Sequence, residues 1–132
     1  MLMLARSARW LLFYVLCALW CSFVGPAAAA EPLPPEQAYR FSARAIDAHT
    51  LEARWQIADG YYMYRDKFSF RIEGGELGKI DLPPGKPKQD EFFGLMEIYR
   101  GEAVIRLPLT ANANSVTLHA TAQGCWDGGI CY

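Results

Sequence analysis

Apolar and polar side chains alternate one by one through much of this chain, and this two-residue period constrains the fold more than any other feature. From Leu51 to Ile57, four apolar residues are separated by the polar residues Glu52, Arg54 and Gln56. Such alternation predicts a β-strand with one face in a core and the other in water. The same pattern recurs in three further apolar sets: Phe68, Phe70 and Ile72; Ala103, Ile105, Leu107 and Leu109; and Val116, Leu118, Ala120 and Ala122.

Turn signals separate these strands from one another and from shorter candidates. The shorter candidates are Tyr39–Ile46, Tyr61–Tyr64, Lys79–Leu82 and Glu97–Tyr99. The turn signals are Asp59-Gly60, Gly74-Gly75, Pro83-Pro84-Gly85, Arg100-Gly101 and residues 112–114. No segment shows a convincing helical period. About seven or eight short strands in a domain of this size predict an all-β fold, an antiparallel β-sandwich of the immunoglobulin-like type.

The first 30 residues have the pattern of a secretory signal peptide. Arg6 and Arg9 precede an almost unbroken apolar run over residues 10–24, and small residues follow up to Ala30. A basic start, a short apolar core and an alanine-rich end predict a secretory signal and export, with cleavage after Ala30. The alternative is a membrane anchor, but the run is shorter than the ~20 apolar residues that span a bilayer.

Cleavage at that point leaves one small domain. A proline-rich lead-in, residues 31–36, is expected to be extended, and the domain proper spans residues 37–132. That length supports a single core. Without Arg6 and Arg9, 11 basic side chains face 14 acidic ones, which gives a net charge of −3. No basic cluster remains, and this argues against a nucleic-acid partner.

The cysteines decide what kind of chemistry is possible. Cys17 and Cys21 leave with the signal peptide, so that Cys125 and Cys131 meet an oxidising compartment as a close pair. A disulfide over so short a loop stabilises by only about 2–2.5 kcal/mol, and the spacing differs from the Cys-x-x-Cys of thioredoxin-type sites. On spacing alone, a structural disulfide and an exchangeable dithiol both stay open. The pair is too local to be the inter-sheet disulfide of an immunoglobulin domain.

Other candidate sites are weaker. His119 falls on the polar face of its predicted strand, which favours a solvated histidine over a metal ligand. A soft-metal site from Cys125, Cys131 and Met63 is conceivable, because thiolates and thioethers bind Cu(I), but nothing in the spacing requires it. No metal and no organic cofactor is predicted. Motifs for hydrolase or phosphate-loop chemistry are absent from the sequence.

Four motifs in fixed order give the chain a resemblance to a known family. They are Asp59-Gly60-Tyr61-Tyr62-Met63-Tyr64-Arg65, Asp90-Glu91-Phe92-Phe93-Gly94, Glu97-Ile98-Tyr99-Arg100, and Gln123-Gly124-Cys125 with Gly129-Ile130-Cys131-Tyr132. Together they resemble the N-terminal periplasmic domain of the DsbD-type thiol:disulfide interchange proteins. The resemblance runs from about Gln37 to Tyr132.

The resemblance implies an immunoglobulin-like domain that acts as a protein-disulfide reductase, with the dithiol as its redox centre. In that family, a membrane domain and a thioredoxin-like domain relay electrons to this domain. It then reduces periplasmic thioredoxin-fold proteins, namely disulfide isomerases and a cytochrome c maturation protein. By matching position, Cys131 would form the mixed disulfide with a partner, and Cys125 would resolve it.

The resemblance also implies a cap loop over the sulfurs, with Phe92 at its tip. The cap loop residues would be Asp90, Glu91, Phe92, Phe93 and Gly94, and the residues lining the site would be Tyr62, Tyr64, Trp126 and Asp127. Nearby carboxylates raise the pKa of a thiol, and an aromatic lid excludes stray oxidants. We therefore expect a reductant that is slow with random disulfides and reacts when a partner docks. Without the resemblance, the cap would be an ordinary turn and the tyrosines a packed strand.

The family domain continues into a further strand beyond the position of Cys131. We expect that strand, and the membrane and thioredoxin-like domains, to be missing from this chain, which would leave the cysteine hairpin at an unpaired sheet edge. The alternative function is a non-redox binding module in which the Cys125–Cys131 disulfide is permanent. The two functions differ in whether a thioredoxin-like reductant opens the disulfide while the domain stays folded.

Overall fold

The computed structural model describes Gly25 and residues 29–132. Most of the predicted signal peptide, residues 1–30, lies outside the described residues, as do Cys17 and Cys21. Within the described part of the chain, no helix is long and apolar enough to cross a membrane.

The described residues form ten strands and one helical turn. In chain order these are α1 (Pro35–Ala38), β1 (Tyr39–Asp47), β2 (Thr50–Ile57), β3 (Tyr61–Tyr64), β4 (Ser69–Glu73), β5 (Gly75–Leu77), β6 (Lys86–Asp90), β7 (Gly94–Tyr99), β8 (Glu102–Ala111), β9 (Thr117–Thr121) and β10 (Gly124–Trp126). A single 3-10 turn, Arg65–Lys67, follows β3. Two four-stranded sheets, with orders β1-β2-β8-β5 and β10-β3-β7-β6, are accompanied by the pair β4-β9.

β2 and β8 lie at the centre of the first sheet because their alternating residues match in register. The antiparallel ladder pairs Leu51 with Leu107, Ala53 with Ile105, and Trp55 with Ala103. All of these side chains are buried. The predicted inner faces of both strands are confirmed, and they form the centre of what we call the main core.

The opposite layer is built from the second sheet and the β4-β9 pair. Tyr61 and Met63 of β3 and Tyr99 of β7 are buried in the main core. The half-buried residues that pack against it from β4 and β9 are Phe70, Ile72, Leu118 and Ala120. The architecture is an immunoglobulin-like antiparallel sandwich, which confirms the predicted all-β fold.

Three local features differ from the sequence prediction. Residues 79–82 do not form a strand. Ile80 and Leu82 pack against the main core without a strand partner, because alternating apolar residues indicate which side chains are buried and not which backbones pair. β6 was not expected, and its Pro87 is tolerated because β6 is the edge strand of its sheet. Pro35 and Glu36, predicted as part of the extended lead-in, begin the turn α1, where a proline at the first helical position needs no N–H partner.

Candidate active site

The two cysteines close a small hairpin at the edge of the second sheet. Cys125 lies on β10, opposite Tyr62 of β3, and forms a disulfide with Cys131. Backbone hydrogen bonds flank the disulfide on both sides: Tyr132 N–H to the Gly124 carbonyl at 2.8 Å, and Trp126 N–H to the Ile130 carbonyl at 2.7 Å. β10 is the outer strand of its sheet, and the returning segment with Cys131 covers its free side.

The two sulfur-bearing residues differ in their access to solvent. Cys125 is 1% exposed, whereas Cys131 belongs to the exposed residues. Cys125 belongs to a small buried group with Tyr62, Tyr64 and Ile98, which we call the site cluster. Of the two cysteines, Cys131 is thus the one whose surface is open to solvent.

A carboxylate holds the polar atoms of the site cluster in place. Asp90 is 3% exposed, and its Oδ2 accepts hydrogen bonds from the hydroxyls of Tyr64 at 2.7 Å and Tyr62 at 3.3 Å. Tyr64 Oη also lies 3.3 Å from Cys125 Sγ. A phenol has only one proton to donate, and the shorter contact assigns that proton to Asp90. The disulfide sulfur has no proton to donate, so this contact is not a hydrogen bond in the oxidised form; the Tyr64 oxygen becomes an acceptor only when Cys125 is a thiol.

The protonation states of this network follow from burial and hydrogen bonding. Burial opposes ionisation of Asp90, but the hydrogen bonds from the Tyr64 hydroxyl and from two backbone N–H groups, together with a nearby ammonium, outweigh it. The pKa of Asp90 therefore lies below its ordinary value of 3.8. The pKa of Tyr64 is raised, first by burial and then by its contacts with Tyr62 and Asp90. At neutral pH, Asp90 is charged and Tyr64 is a neutral phenol.

The predicted cap loop is a tight turn between β6 and β7, and the side chain of Asp90 holds it through hydrogen bonds to its backbone. Its Oδ1 accepts hydrogen bonds from the backbone N–H groups of Phe92 at 2.8 Å and Phe93 at 3.1 Å. Gly94 completes the turn with a φ of +77°, a left-handed conformation that glycine adopts without steric cost. The residue that anchors the sulfur network therefore also shapes the cap.

The two phenylalanines of the cap have different surroundings. The Phe93 ring packs edge-on against Tyr64 with centroids 5.2 Å apart, and the ammonium of Lys67 lies 4.7 Å from its centroid. Phe92 is 60% exposed and lines the cavity in front of the disulfide. Phe93 fixes the cap to the sheet, whereas Phe92 has few contacts to lose on moving.

A cavity of about 300 Å³ opens directly onto both cysteines. Its lining residues are Tyr62, Lys88, Gln89, Glu91, Phe92, Cys125, Trp126, Asp127, Gly129 and Cys131. The structure thus brings together both cysteines and most of the predicted cap and lining residues. Tyr64, Asp90 and Phe93 lie behind this wall, in contact with its members, and Gly94 begins β7.

Asp127 has a cationic partner that the sequence did not indicate. Its carboxylate forms a two-point ion pair with Arg100, with nitrogen–oxygen distances of 2.8 and 3.0 Å. The guanidinium of Arg100 lies 5.1 Å from the centroid of the Tyr62 ring. Asp127 is therefore largely compensated, and the uncompensated acidic residue of the cavity wall is Glu91.

Trp126 lines the cavity and also packs against the turn of the hairpin. Its ring stacks on Tyr61 with centroids 6.4 Å apart. The ring also covers Gly128, where a β-carbon would overlap it. The turn of the hairpin is thus fixed by one aromatic ring that lies on one glycine.

Sequence reasoning did not assign Lys88 or Arg100, which are cations of the site. Lys88 was missed because β6, rich in polar residues and interrupted by Pro87, carries no apolar alternation. Arg100 stands in one of the quoted motifs, but its pairing with Asp127 depends on the fold. The suggested copper site is wrong, since Met63 points into the main core and neighbours Gly124 in register, not Cys125. Among the described residues, no cluster of three histidine, cysteine or acidic side chains could hold a metal ion.

The sequence matches the family model described as "Thiol:disulfide interchange protein DsbD, N-terminal" over residues 29–132. This chain belongs to the family of DsbD N-terminal domains. Among curated relatives, the thiol:disulfide interchange protein DsbD of Ralstonia nicotianae is 45% identical over 111 residues, which cover 81% of this chain and 18% of that protein. DsbD of Escherichia coli K12 is 41% identical over 102 residues, 76% of this chain and 18% of that protein. The chain thus spans less than a fifth of the length of these relatives.

Solved structures of the family have the same fold. The reduced DsbD N-terminal domain of Neisseria meningitidis superimposes with a TM-score of 0.68 at 37% identity, over 76% of this chain and 81% of that one. A DsbD N-terminal domain in complex with the PilB N-terminal domain, from the same organism, gives a TM-score of 0.66 at 35% identity, over 79% and 82% of the two chains. The resemblance that the four motifs indicated is confirmed.

Proposed function

We propose that this domain is a protein-disulfide reductase that passes two electrons from its reduced cysteine pair to thioredoxin-fold proteins in the periplasm. The observation that carries the proposal is the difference in exposure between the two cysteines of the disulfide. Both line an open cavity, but Cys131 is exposed and Cys125 is buried. An exchangeable disulfide needs one sulfur that a partner can approach and a second that remains in place to resolve the intermediate.

The chemistry proceeds in two displacements. The Cys131 thiolate attacks one sulfur of the partner's disulfide, and the other partner sulfur leaves as a thiolate. The Cys125 thiolate then attacks Sγ of Cys131 in the mixed disulfide, which releases the second partner thiolate and closes the Cys125–Cys131 bond. Two electrons have moved to the partner, and both partner thiolates take protons from water. The dithiol is the complete redox centre, and no step needs a cofactor.

The site cluster supports a resolving role for Cys125. In the reduced domain, the Tyr64 oxygen can accept a hydrogen bond from the Cys125 thiol, because the Tyr64 proton is already donated to Asp90. This arrangement favours the thiol over the thiolate. Cys125 is therefore held protonated and in position until a mixed disulfide forms beside it.

An apolar rim around the cavity supports docking of a protein partner. Two exposed residues of this rim are Phe92 and Ile130, with 60% and 42% of their surface accessible. Phe92 comes from the cap and Ile130 from the disulfide hairpin, so that they flank the sulfurs from two sides. Exposed apolar side chains grouped at one functional site favour a protein–protein contact. Docking on this rim would displace Phe92 and admit the partner's sulfur.

The choice of partners rests on the relatives. One solved relative is a complex between a DsbD N-terminal domain and a PilB N-terminal domain, which supports thioredoxin-fold proteins as the partner class. Disulfide isomerases and a thioredoxin-like protein of cytochrome c maturation are the specific candidates. Electrons would reach the domain from a thioredoxin-like donor domain that a membrane domain supplies. The curated relatives are more than five times as long as the matched segment, which leaves room for both domains.

The decisive experiment offers the oxidised, folded domain a reduced thioredoxin-like donor. We expect the Cys125–Cys131 disulfide to open, measured as free thiols, while the far-ultraviolet circular dichroism spectrum stays unchanged. In parallel, Cys125→Ala should accumulate a partner adduct through Cys131, whereas Cys131→Ala should not. A disulfide that resists the donor until denaturant is added would contradict the proposal and leave a permanent structural bridge.

A further inference from the structure

Lys88 stands at the cysteine cavity and has no part in the exchange chemistry described so far. Its side chain lines the cavity together with both cysteines. Its Nζ lies 3.6 Å from Oδ2 of Asp90 and 4.9 Å from the centroid of the Tyr62 ring. Lys88 and Asp90 are two residues apart on β6, and strand geometry therefore puts them on the same face.

These contacts connect the ammonium to the buried sulfur through two intermediate groups. Lys88 Nζ contacts Asp90 Oδ2, which accepts the Tyr64 proton at 2.7 Å, and Tyr64 Oη lies 3.3 Å from Cys125 Sγ. A negative charge on Asp90 disfavours a second negative charge on Cys125. A cation directly on that carboxylate reduces the penalty.

The other charged and titratable groups around the cavity do not duplicate this effect. Asp127, from the hairpin, is paired with Arg100, which directly follows β7. Glu91, from the cap, lines the cavity and adds negative charge. Among the described residues that line the cavity, Lys88 is the one cation. Tyr62 and Tyr64, from β3, contribute hydroxyls that donate hydrogen bonds to Asp90.

We propose that Lys88 is a positioning residue for the resolving step: by offsetting the charge of Asp90, it allows the buried Cys125 to lose its proton to water and attack the mixed disulfide. The inference rests on the proposed exchange function and adds a residue to it. Lys88 contacts Asp90 and acts on Cys125 through Asp90 and Tyr64. The acidic site thus holds a partly buried cation that keeps its second thiol usable.

The test measures the ionisation of Cys125 alone. In the Cys131→Ser background of the exported form, Cys125 is the single thiol, and its thiolate is followed by ultraviolet absorbance against pH and by its alkylation rate. We expect Lys88→Gln to lower the thiolate fraction and the alkylation rate about three- to tenfold at a fixed pH below the thiol pKa. Lys86→Gln is the matched control, since Lys86 has the same charge on the same strand and face but lies outside the cavity wall. It should leave both values unchanged.

Two further variants separate the charge from packing and test the route through Asp90. Lys88→Arg keeps the charge and should restore the parental alkylation rate. In an Asp90→Asn background, Lys88→Gln should lose its effect, because the carboxylate that it offsets is gone. An unchanged Cys125 ionisation in Lys88→Gln, an equal change in Lys86→Gln, or a full effect that persists without the Asp90 charge would each overturn the proposal.

The titration uses no partner, and its result is therefore independent of the exchange assay. A domain whose disulfide resists a thioredoxin-like donor contradicts the proposed function, whatever the titration gives. An active domain in which Lys88→Gln changes neither Cys125 ionisation nor the release of a trapped partner contradicts the role of Lys88 alone.

Discussion

The main core and the site cluster are both buried, but they are filled with different atoms. The main core is hydrocarbon at its centre, where Ile105 and Leu107 are fully buried. The site cluster contains a sulfur and two phenol hydroxyls, and the carboxylate of Asp90 binds both hydroxyls. Its polar atoms satisfy one another, since no buried side-chain nitrogen or oxygen of the described residues lacks a hydrogen-bond partner.

This difference separates stability from chemistry. Burial of apolar surface is the main favourable term in folding, and β2 and β8 supply it at some distance from the sulfurs. A satisfied polar network adds little net free energy but fixes the positions of its members. The domain can therefore change the protonation and bonding of its cysteines without changing what keeps it folded. Substitutions in the two regions should have different consequences.

The largest loss of stability should come from the main core. Leu107→Ala removes a fully buried side chain and should lower the free energy of unfolding by about 3 kcal/mol, measured by urea titration of the oxidised domain. The rate at which a thioredoxin-like donor opens the disulfide should not change in the fraction that stays folded. Leu95→Ala, at a site that is 73% exposed, serves as the control and should stay within about 0.5 kcal/mol of the parent.

A smaller but clear loss should come from an exposed position, Gly128. A methyl group there would overlap the Trp126 ring, and Gly128→Ala should cost about 1–3 kcal/mol through overpacking. In a Trp126→Ala background the same change should cost much less, because the ring that it meets is absent. Equal costs in both backgrounds, by urea titration, would show that the constraint at Gly128 is not steric.

The site cluster should make the stability of the domain depend on pH in the acidic range. The folded-state pKa of Asp90 is lowered, so its charge stabilises the fold above the ordinary value of 3.8, and this contribution is lost as the pH falls through the folded pKa. The melting temperature of the parent should therefore fall more between pH 7 and pH 3 than that of Asp90→Asn. Parallel pH profiles for the two proteins would contradict the assigned role of this carboxylate.

The smallest change in stability should come from the cap tip. Phe92→Ala should stay within about 0.5 kcal/mol of the parent, because the ring is largely exposed, yet dithiothreitol should reduce the disulfide faster once the lid is removed. Phe93→Ala should behave in the opposite way and cost about 1 kcal/mol, since its ring packs on Tyr64. Equal reduction rates in the parent and Phe92→Ala would mean that Phe92 does not shield the sulfurs.

The alternation in the sequence was sufficient to predict the inner faces of β2 and β8, because each face buries every second residue over a long strand. It failed where a strand is short or polar. β10 has only three residues, and β6 has the sequence Lys-Pro-Lys-Gln-Asp. Neither segment shows an alternation of apolar and polar residues from which a strand could be predicted. Residues 79–82 show the reverse error, because alternate side chains are half-buried there without a hydrogen-bonded neighbour.

The candidate site divides in the same way. The cysteines, the tyrosines and the cap were available from motifs, and the structure brings them together. The ion pair of Arg100 with Asp127 joins residues 27 positions apart, and the contact of Lys88 with Asp90 requires β6 to be a strand. Net charge at the site depends on these pairings, which a count of acidic residues along the chain does not reveal.

The hydrogen bonds that flank the disulfide have a consequence for reversibility. Gly124 with Tyr132, and Trp126 with Ile130, are joined through their backbones, and these links do not depend on the sulfur–sulfur bond. When that bond opens, we expect these backbone links to keep the two thiols adjacent, so that re-forming the disulfide is an intramolecular reaction between aligned groups. The reduced hairpin thus carries an electron pair, and its geometry favours re-formation of the disulfide after each transfer.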